Sequence, residues 1–144
     1  MRSYGAAATI DAPATTIWSI LEDGASYPAW GSGVDQVEGT IADGQRIRVF
    51  SSVSPGRAFP VKVSIDRAQG IMTWIGGMPL GLLWGVRTFT LAAESEQRTA
   101  FSMHEEFSGP LLGLIGRSIP DLGPWFEQFA TALKARAEHG QGPT

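Results

Sequence analysis

The chain has 144 residues, 43% of them hydrophobic and 17% charged, which suffices for one domain with a sizeable core. Its net charge of −3, without a run of basic residues, argues against nucleic acid as a main partner. The absence of cysteine excludes disulfides, thiolate metal sites and a cysteine nucleophile.

The N-terminal residues lack the apolar stretch of a signal peptide, and the apolar run over residues 75–84 is short and interrupted by Gly and Pro. We therefore expect a soluble, cytoplasmic protein without stable membrane insertion, formed by one domain over residues 1–144. We predict no cofactor. We also predict no metal, since the only histidines, His104 and His139, are expected on the surface and at a helix end. The oligomeric state stays open, a homodimer included.

The first part of the chain predicts one strand and then one or two short helices. Residues 4–10 form a weak strand pattern, after which Asp11 is a candidate helix cap and Pro13 suits a first turn. The apolar face of the first helix consists of Ala14, Ile17, Trp18 and Leu21. Residues 26–33 allow one further helical turn.

From residue 34 the hydrophobic period changes to two, which is typical of strands. Turn signals separate strand candidates near residues 34–38, 46–50, 59–65 and 71–75, and residues 76–81 are expected to form an irregular loop.

Two further strands, residues 87–91 and 101–107, form the most informative segment. Each apolar row is interrupted by one charge, Arg87 in the first strand and Glu105 in the second. A hairpin turn centred on Glu96 pairs Leu91 with Phe101, Phe89 with Met103, and Arg87 with Glu105. Opposite charges on an apolar face need each other, and they suggest an interior that side chains do not wholly fill.

The last part of the chain predicts a loop and one long helix. The loop, residues 109–116, carries Leu111, Leu112, Leu114 and Ile115. In order of preference, these side chains pack beneath the long helix, cap a cavity mouth, or contact a membrane or partner. The helix begins between residues 121 and 124 and should stop at Gly140. Its apolar stripe is Leu122, Phe126, Phe129, Ala130, Leu133 and Ala137.

Strands joined by short turns pair antiparallel, and one long amphipathic helix is available to cover the resulting sheet. The predicted fold class is α+β: a curved antiparallel sheet of six to seven strands around one C-terminal helix.

The order and spacing of several motifs resemble the helix-grip superfamily of START domains and Bet v 1 allergens, most closely its bacterial polyketide cyclase/dehydrase-like branch. The motifs are Ile10-Asp-Ala-Pro13, Ile17-Trp18, Leu21-Glu-Asp23, Tyr27-Pro-Ala-Trp30, Gly85-Val-Arg87-Thr-Phe89, Thr99-Ala-Phe101, Glu106-Phe107-Ser-Gly109 and the closing helix. The resemblance implies an apolar cavity between sheet and helix. Members include lipid carriers, polyketide binders, cyclases and chaperone partners, so the fold does not settle the function.

The candidate ligand-binding residues are Trp74, Trp84, Arg87, Phe89, Met103, Glu105, Phe107, Phe126 and Phe129. The aromatic and Met side chains either line a cavity or simply fill the core, and Arg87 with Glu105 is either a recognition point or a structural ion pair. A Glu105 carboxylate beside Arg87 should stay charged, whereas a carboxyl buried alone would favour the protonated form of a general acid.

We predict that the chain binds a small hydrophobic or aromatic, lipid- or polyketide-like molecule in this cavity. A first alternative is a cyclase or dehydrase in which Glu105 moves a proton and Arg87 polarises a carbonyl. A second alternative is a non-catalytic protein-interaction domain.

Overall fold

The computed structural model describes residues 2–52, 55–77, 79–115 and 121–139. The strands are β1 (Arg2–Ile10), β2 (Val34–Glu38), β3 (Arg46–Ser51), β4 (Ala58–Asp66), β5 (Ile71–Gly77), β6 (Trp84–Ser95) and β7 (Arg98–Ser108). The α-helices are α1 (Ala14–Glu22), α2 (Leu112–Ile115) and α3 (Gly123–His139), and 3₁₀ turns lie at Gly24–Trp30 and Pro79–Gly81. None of the described helices is long and apolar enough to cross a membrane.

The seven strands form one antiparallel sheet in the order β1-β7-β6-β5-β4-β3-β2. Consecutive strands from β2 to β7 are neighbours, as short turns require, and β1 pairs with β7. The sheet curls as a half-barrel around α3, which confirms the predicted α+β helix-grip fold. The side chains that α3 buries are Trp125, Phe126, Phe129, Ala130, Leu133 and Ala137.

The β6–β7 hairpin has the predicted register. Arg87 pairs with Glu105, and the two neighbouring inward pairs also match the prediction. The register shifts by one residue after Ala93, so that Ser95 pairs with Arg98 and the turn lies at residues 96–97. The apolar rows were sufficient for this prediction because a slip of one residue would turn every buried side chain outward.

Two local predictions are corrected. Asp11 does not cap α1, because Pro13 occupies the N-cap position and the Asp11 carboxylate instead accepts a hydrogen bond from Arg98 Nε at 3.1 Å. Gly76 and Gly77 do not belong to a loop, because both continue β5 by pairing with β6. Gly140 lies outside the described residues, and α3 ends at His139.

The core lies between the inner face of the sheet and α3, with α1 and the first 3₁₀ turn closing one side. Phe129 is its centre, with ring centroids of five other aromatic residues between 5.2 and 6.5 Å away. These five residues are Tyr27, Trp30, Phe89, Phe101 and Trp125. Separations of this size are typical of packed aromatic pairs, so this part of the interior is filled by the protein's own rings.

Candidate functional site

Three neighbouring rows of residues cross the inner face of the sheet. The apolar row contains Ile65, Met72, Phe89, Met103 and Ala6. The polar row contains Val63, Trp74, Arg87, Glu105 and Tyr4. The glycine row contains Gly76, Gly85, Phe107 and Arg2. Successive rows are two residues apart along each strand. From one row to the next, the inward side chains change from apolar ones to an ion pair, and then to the two glycines Gly76 and Gly85.

The charge pair of the polar row is a close ion pair. Arg87 Nε donates to Glu105 Oε1 at 2.8 Å, and Arg87 Nη2 lies 2.6 Å from the same oxygen. The two side chains are only 16% and 12% exposed. An isolated charge on this face would lose its hydration without compensation. Each of the two residues therefore offsets the desolvation cost of the other.

Aromatic rings surround the Arg87 guanidinium. Its central carbon lies 4.9 Å from the ring centroid of Trp125, 5.0 Å from that of Phe126 and 5.9 Å from that of Trp74. A guanidinium at such distances is attracted by the negative faces of the rings. The first turn of α3 thus covers the ion pair from one side, and β5 bounds it from another.

Trp125 is held in place by the segment before β2. Its Nε1 donates to the Gly33 carbonyl oxygen at 3.1 Å, and Gln128 of the next turn donates to the Gly31 carbonyl oxygen at 3.0 Å. Gly33 has a φ of +86°, and a Cβ there would lie 2.5 Å from Trp125 Nε1. Gly33 is therefore required both by its backbone conformation and by the close approach of the indole.

The second carboxylate oxygen of Glu105, Oε2, lies over the backbone of Gly85. Among the described residues, no donor is hydrogen-bonded to Oε2. A Cβ at Gly85 would lie 2.8 Å from this oxygen and 3.2 Å from the Phe107 ring. The absence of a side chain at Gly85 therefore makes room for the Glu105 carboxylate itself and for the Phe107 ring, and Oε2 can still accept a hydrogen bond.

Two buried indole N–H groups, those of Trp74 and Trp30, have no hydrogen-bond partner among the described residues. A buried donor without an acceptor costs about 1–3 kcal/mol. Trp74 is 3% exposed and pairs directly with Arg87 across β5 and β6, so its donor belongs to the neighbourhood of the ion pair.

The other buried polar aromatic, Tyr27, is satisfied and structural. Its hydroxyl donates to the Leu21 carbonyl oxygen at 2.5 Å. Burial raises the pKa of Tyr27 far above its usual value, and the positive charge of Arg87 opposes that rise in part. The phenol therefore stays neutral, and we assign it no acid–base role.

The structure brings most of the predicted site residues together. Trp74, Phe107 and Phe126 lie around Arg87 and Glu105, while Phe89, Met103 and Phe129 lie in or against the apolar row. Trp84 does not join them. Alternation along β6 puts it on the face opposite Arg87, and it is 39% exposed.

Sequence reasoning missed two residues at this site. The apolar stripe predicted for the last helix omits Trp125, although its i,i+4 spacing from Phe129 is a usable signal. Tyr4 pairs with Glu105, and its ring lies 6.2 Å from that of Phe107 and 6.5 Å from that of Phe126. The sequence signal for Tyr4 is its place at the start of the weak first strand, where period two puts it on the same face as Ala6 and Ala8.

The remaining candidates lie away from this site. Leu114 is 80% exposed, so packing beneath the long helix is wrong for this residue, while Leu111 and Leu112 are half-buried. His104 and His139 are exposed, as predicted. The described residues contain no group of three or more side chains able to hold a metal ion.

A family model described as polyketide cyclase / dehydrase and lipid transport matches residues 1–138. Among curated proteins, no sequence matches the chain.

Several solved structures share the fold. The chain is similar to a START superfamily protein from Mycobacterium smegmatis, with 18% identity, a TM-score of 0.68 and coverage of 96% of this chain and 99% of that one. It is similar to the Zhui aromatase/cyclase from a Streptomyces species, with 17% identity, a TM-score of 0.66 and 99% coverage of both chains. It is also similar to the di-domain ARO/CYC protein BexL, with 16% identity and a TM-score of 0.75. That match covers 99% of this chain but 48% of BexL, so the chain spans about half the length of that relative.

Proposed function

The chain belongs to the polyketide cyclase/dehydrase and lipid transport family, and we propose that it binds a small, predominantly apolar molecule on the inner face of its sheet. The binding position is beside the Arg87–Glu105 pair, beneath the first turn of α3. Family membership supports a role in hydrophobic ligand binding or cyclisation. The observation that carries the position is the ion pair itself, enclosed by aromatic rings and with Glu105 Oε2 left without a donor among the described residues.

A purely structural ion pair would explain the contact between Arg87 and Glu105 but not its surroundings. A structural pair is best served by donors to both carboxylate oxygens and by dense packing. Here one oxygen, Oε2, has no donor among the described residues. This oxygen favours a bound molecule that donates to it or contacts it.

The test is native mass spectrometry of the freshly purified protein, compared with its denatured mass, for the wild type and for Gly85→Ala. We expect a discrete additional mass on the wild type that is lost on denaturation and reduced in Gly85→Ala. The matched control is Gly113→Ala, since a Cβ at Gly113 would meet nothing within 4 Å.

A bare wild-type mass, together with no detectable binding of added 2-acetonaphthone in a calorimetric titration, would contradict the proposal. Circular dichroism of each variant checks that the fold is retained.

A second candidate function is a cyclase or dehydrase reaction at the same position. The observation that favours it is the difference between the two oxygens of the Glu105 carboxylate. Oε1 accepts a hydrogen bond from Arg87, whereas Oε2 has no donor among the described residues and could accept a proton from a substrate. Glu105→Gln separates the two functions. An enzyme should lose turnover while still binding substrate, whereas a binder should change only its affinity.

The third alternative, a non-catalytic interaction domain, has one supporting observation. Leu80 and Leu114 are 93% and 80% exposed, and both belong to segments at the same end of the sheet, where the Leu111 N–H donates to the Leu82 carbonyl oxygen. Such a domain should be indifferent to both Gly85→Ala and Glu105→Gln.

A further inference from the structure

We infer that the buried indole N–H of Trp74 makes this site selective for neutral ligands that carry an acceptor oxygen, such as a ketone or ester carbonyl, over ligands that carry a carboxylate. The inference rests on the proposed function, because it specifies the chemistry of the molecule bound beside Arg87 and Glu105.

The first step is the unused donor. Trp74 is 3% exposed, and its Nε1 has no acceptor among the described residues. An indole N–H can only donate, so the complementary group must be an acceptor. Buried donors in native proteins are almost always satisfied, which makes this N–H a place where a ligand oxygen gains a hydrogen bond without displacing a protein partner.

The second step is the position of this donor. Trp74 pairs with Arg87 across the two strands, and its ring centroid lies 5.9 Å from the guanidinium carbon. Arg87 Nε already donates to Glu105 Oε1, and Arg87 Nη2 lies at ion-pair distance from the same oxygen. Trp74, with its unused donor, and Glu105, with its acceptor Oε2, are the two neighbours of Arg87 in the polar row, and the inferred ligand contacts both.

The third step is the charge of the site. The single positive charge of Arg87 is matched by the single negative charge of Glu105, at 2.6 Å. A carboxylate ligand would bring a second negative charge to a guanidinium that already has its partner, in a partly desolvated place. A neutral oxygen acceptor avoids this repulsion, so the pair acts against fatty acids and aromatic acids and in favour of neutral molecules.

The test uses three probes on one ring system: 2-acetonaphthone, which has a ketone, 2-naphthoate, which has a carboxylate, and 2-ethylnaphthalene, which has neither. Their dissociation constants are measured calorimetrically on the wild type, on Trp74→Phe, which keeps a ring but removes the N–H, and on Trp18→Phe. Trp18 is the matched control because it is also buried but lies on α1, with its ring 5.6 Å from Arg67.

We expect the wild type to bind 2-acetonaphthone at least about tenfold more tightly than 2-naphthoate. In Trp74→Phe, the affinity of the ketone relative to 2-ethylnaphthalene should fall about five- to tenfold, which corresponds to one hydrogen bond. Trp18→Phe should leave that ratio unchanged. In the wild type, the assigned indole N–H resonance of Trp74 should shift on addition of the ketone and much less on addition of 2-ethylnaphthalene.

The remaining outcomes overturn the inference in distinguishable ways. In one outcome all three probes bind, but Trp74→Phe leaves the affinity of 2-acetonaphthone relative to 2-ethylnaphthalene unchanged, and the Trp74 indole resonance does not shift. The role of Trp74 is then wrong, while the proposed function stands. Equal binding of 2-naphthoate and 2-acetonaphthone contradicts the charge selectivity alone. If none of the three probes binds the wild type, the proposed function and the inference fall together. The resonance in the wild type gives the answer even if Trp74→Phe does not fold.

Discussion

Two halves of the same interior differ in what fills them. In the closed half, made by the apolar row and the rings around Phe129, the inward side chains are aliphatic or aromatic and carry no charge, and they pack against the sheet, α1 or α3. In the other half, made by the polar and glycine rows and called the open half for the Oε2 of Glu105 that has no donor among the described residues, the same strands present an ion pair. Here Val61 packs over Gly76, and Glu105 and Phe107 pack over Gly85. The closed half can stabilise the fold by burial alone, and this leaves the open half free to carry polar groups whose contribution to stability is smaller.

The helix α3 spans both halves and is attached differently in each. Near its C-terminus, Lys134 donates to the Thr9 carbonyl oxygen, and Glu138 accepts the N–H of Asp11. Near its N-terminus, the attachment runs through Trp125 to Gly33, beside the ion pair. A change in the open half is therefore expected to alter the site before it alters the fold.

The largest expected effect lies in the closed half. Phe129→Ala should lower the free energy of unfolding by about 3–5 kcal/mol, because it removes a fully buried ring from the centre of the cluster and leaves a cavity. Phe59→Ala is the matched control, since Phe59 is 41% exposed, and it should cost less than about 1 kcal/mol. Urea denaturation measures both. Equal losses would contradict the division into two halves.

In the open half, Arg87→Ala should cost about 2–4 kcal/mol, because it leaves the Glu105 carboxylate inward without its partner. Arg98→Ala breaks an ion pair whose side chains are 57% and 62% exposed, and it should cost less than about 1 kcal/mol. The comparison is made by urea denaturation at pH 7.

A loss from Arg87→Ala as small as that from Arg98→Ala would place the pair effectively in solvent and remove the basis of the candidate site. A double-mutant cycle with Glu105→Gln isolates the coupling between the two side chains.

The attachment of α3 in the open half can be weakened from the opposite segment. Gly33→Ala should cost about 2–3 kcal/mol, because it adds contact with Trp125 to the strain of a positive φ. Gly44→Ala, at a φ of +81° with nothing near its Cβ, should show the backbone strain alone, about 1–2 kcal/mol.

Thermal unfolding compares the two glycine variants. If they are equally stable, the close approach of Trp125 has no energetic consequence. A loss of probe binding confined to Gly33→Ala would link the indole to the site.

The smallest expected effect tests the attachment in the closed half. Hydrogen bonds from the Asp11 N–H and then from Lys134 lower the pKa of Glu138 below its usual value. A lowered pKa in the folded state means that the carboxylate stabilises the protein above the unfolded pKa and that this contribution is lost as the pH falls through the folded value. Glu138→Gln should therefore cost less than about 1 kcal/mol at pH 7 and nothing near pH 2.

Urea denaturation between pH 2 and pH 7 measures this dependence, with Glu127→Gln as the control. Glu127 is exposed on the same helix, and its substitution changes the net charge equally. A difference between the two variants that does not change with pH would show that the effect of Glu138 is not electrostatic.

Local pattern predicted most of the elements. Period-two alternation located the strands, and the apolar stripe located α3, because burial on one face imposes these periods on any sequence. Prediction failed where a contact over long sequence distance replaced a local one, as at Asp11, whose carboxylate pairs with Arg98 instead of capping α1. It also failed at Trp84. The predicted strand begins at Arg87, whereas β6 begins at Trp84, and alternation along β6 puts Trp84 on the face opposite Arg87.

The hairpin register, and hence the pairing of Arg87 with Glu105, follows from the sequence alone, since no other register keeps the apolar rows and the charges inward together. The residues that enclose this pair, in contrast, are set by the three-dimensional arrangement of the helix and the sheet. Trp125 reaches Arg87 because the sheet curls around α3 and because Gly33, 92 residues earlier, leaves room for its indole. Such contacts depend on the relative placement of whole elements, which side-chain periodicity does not encode.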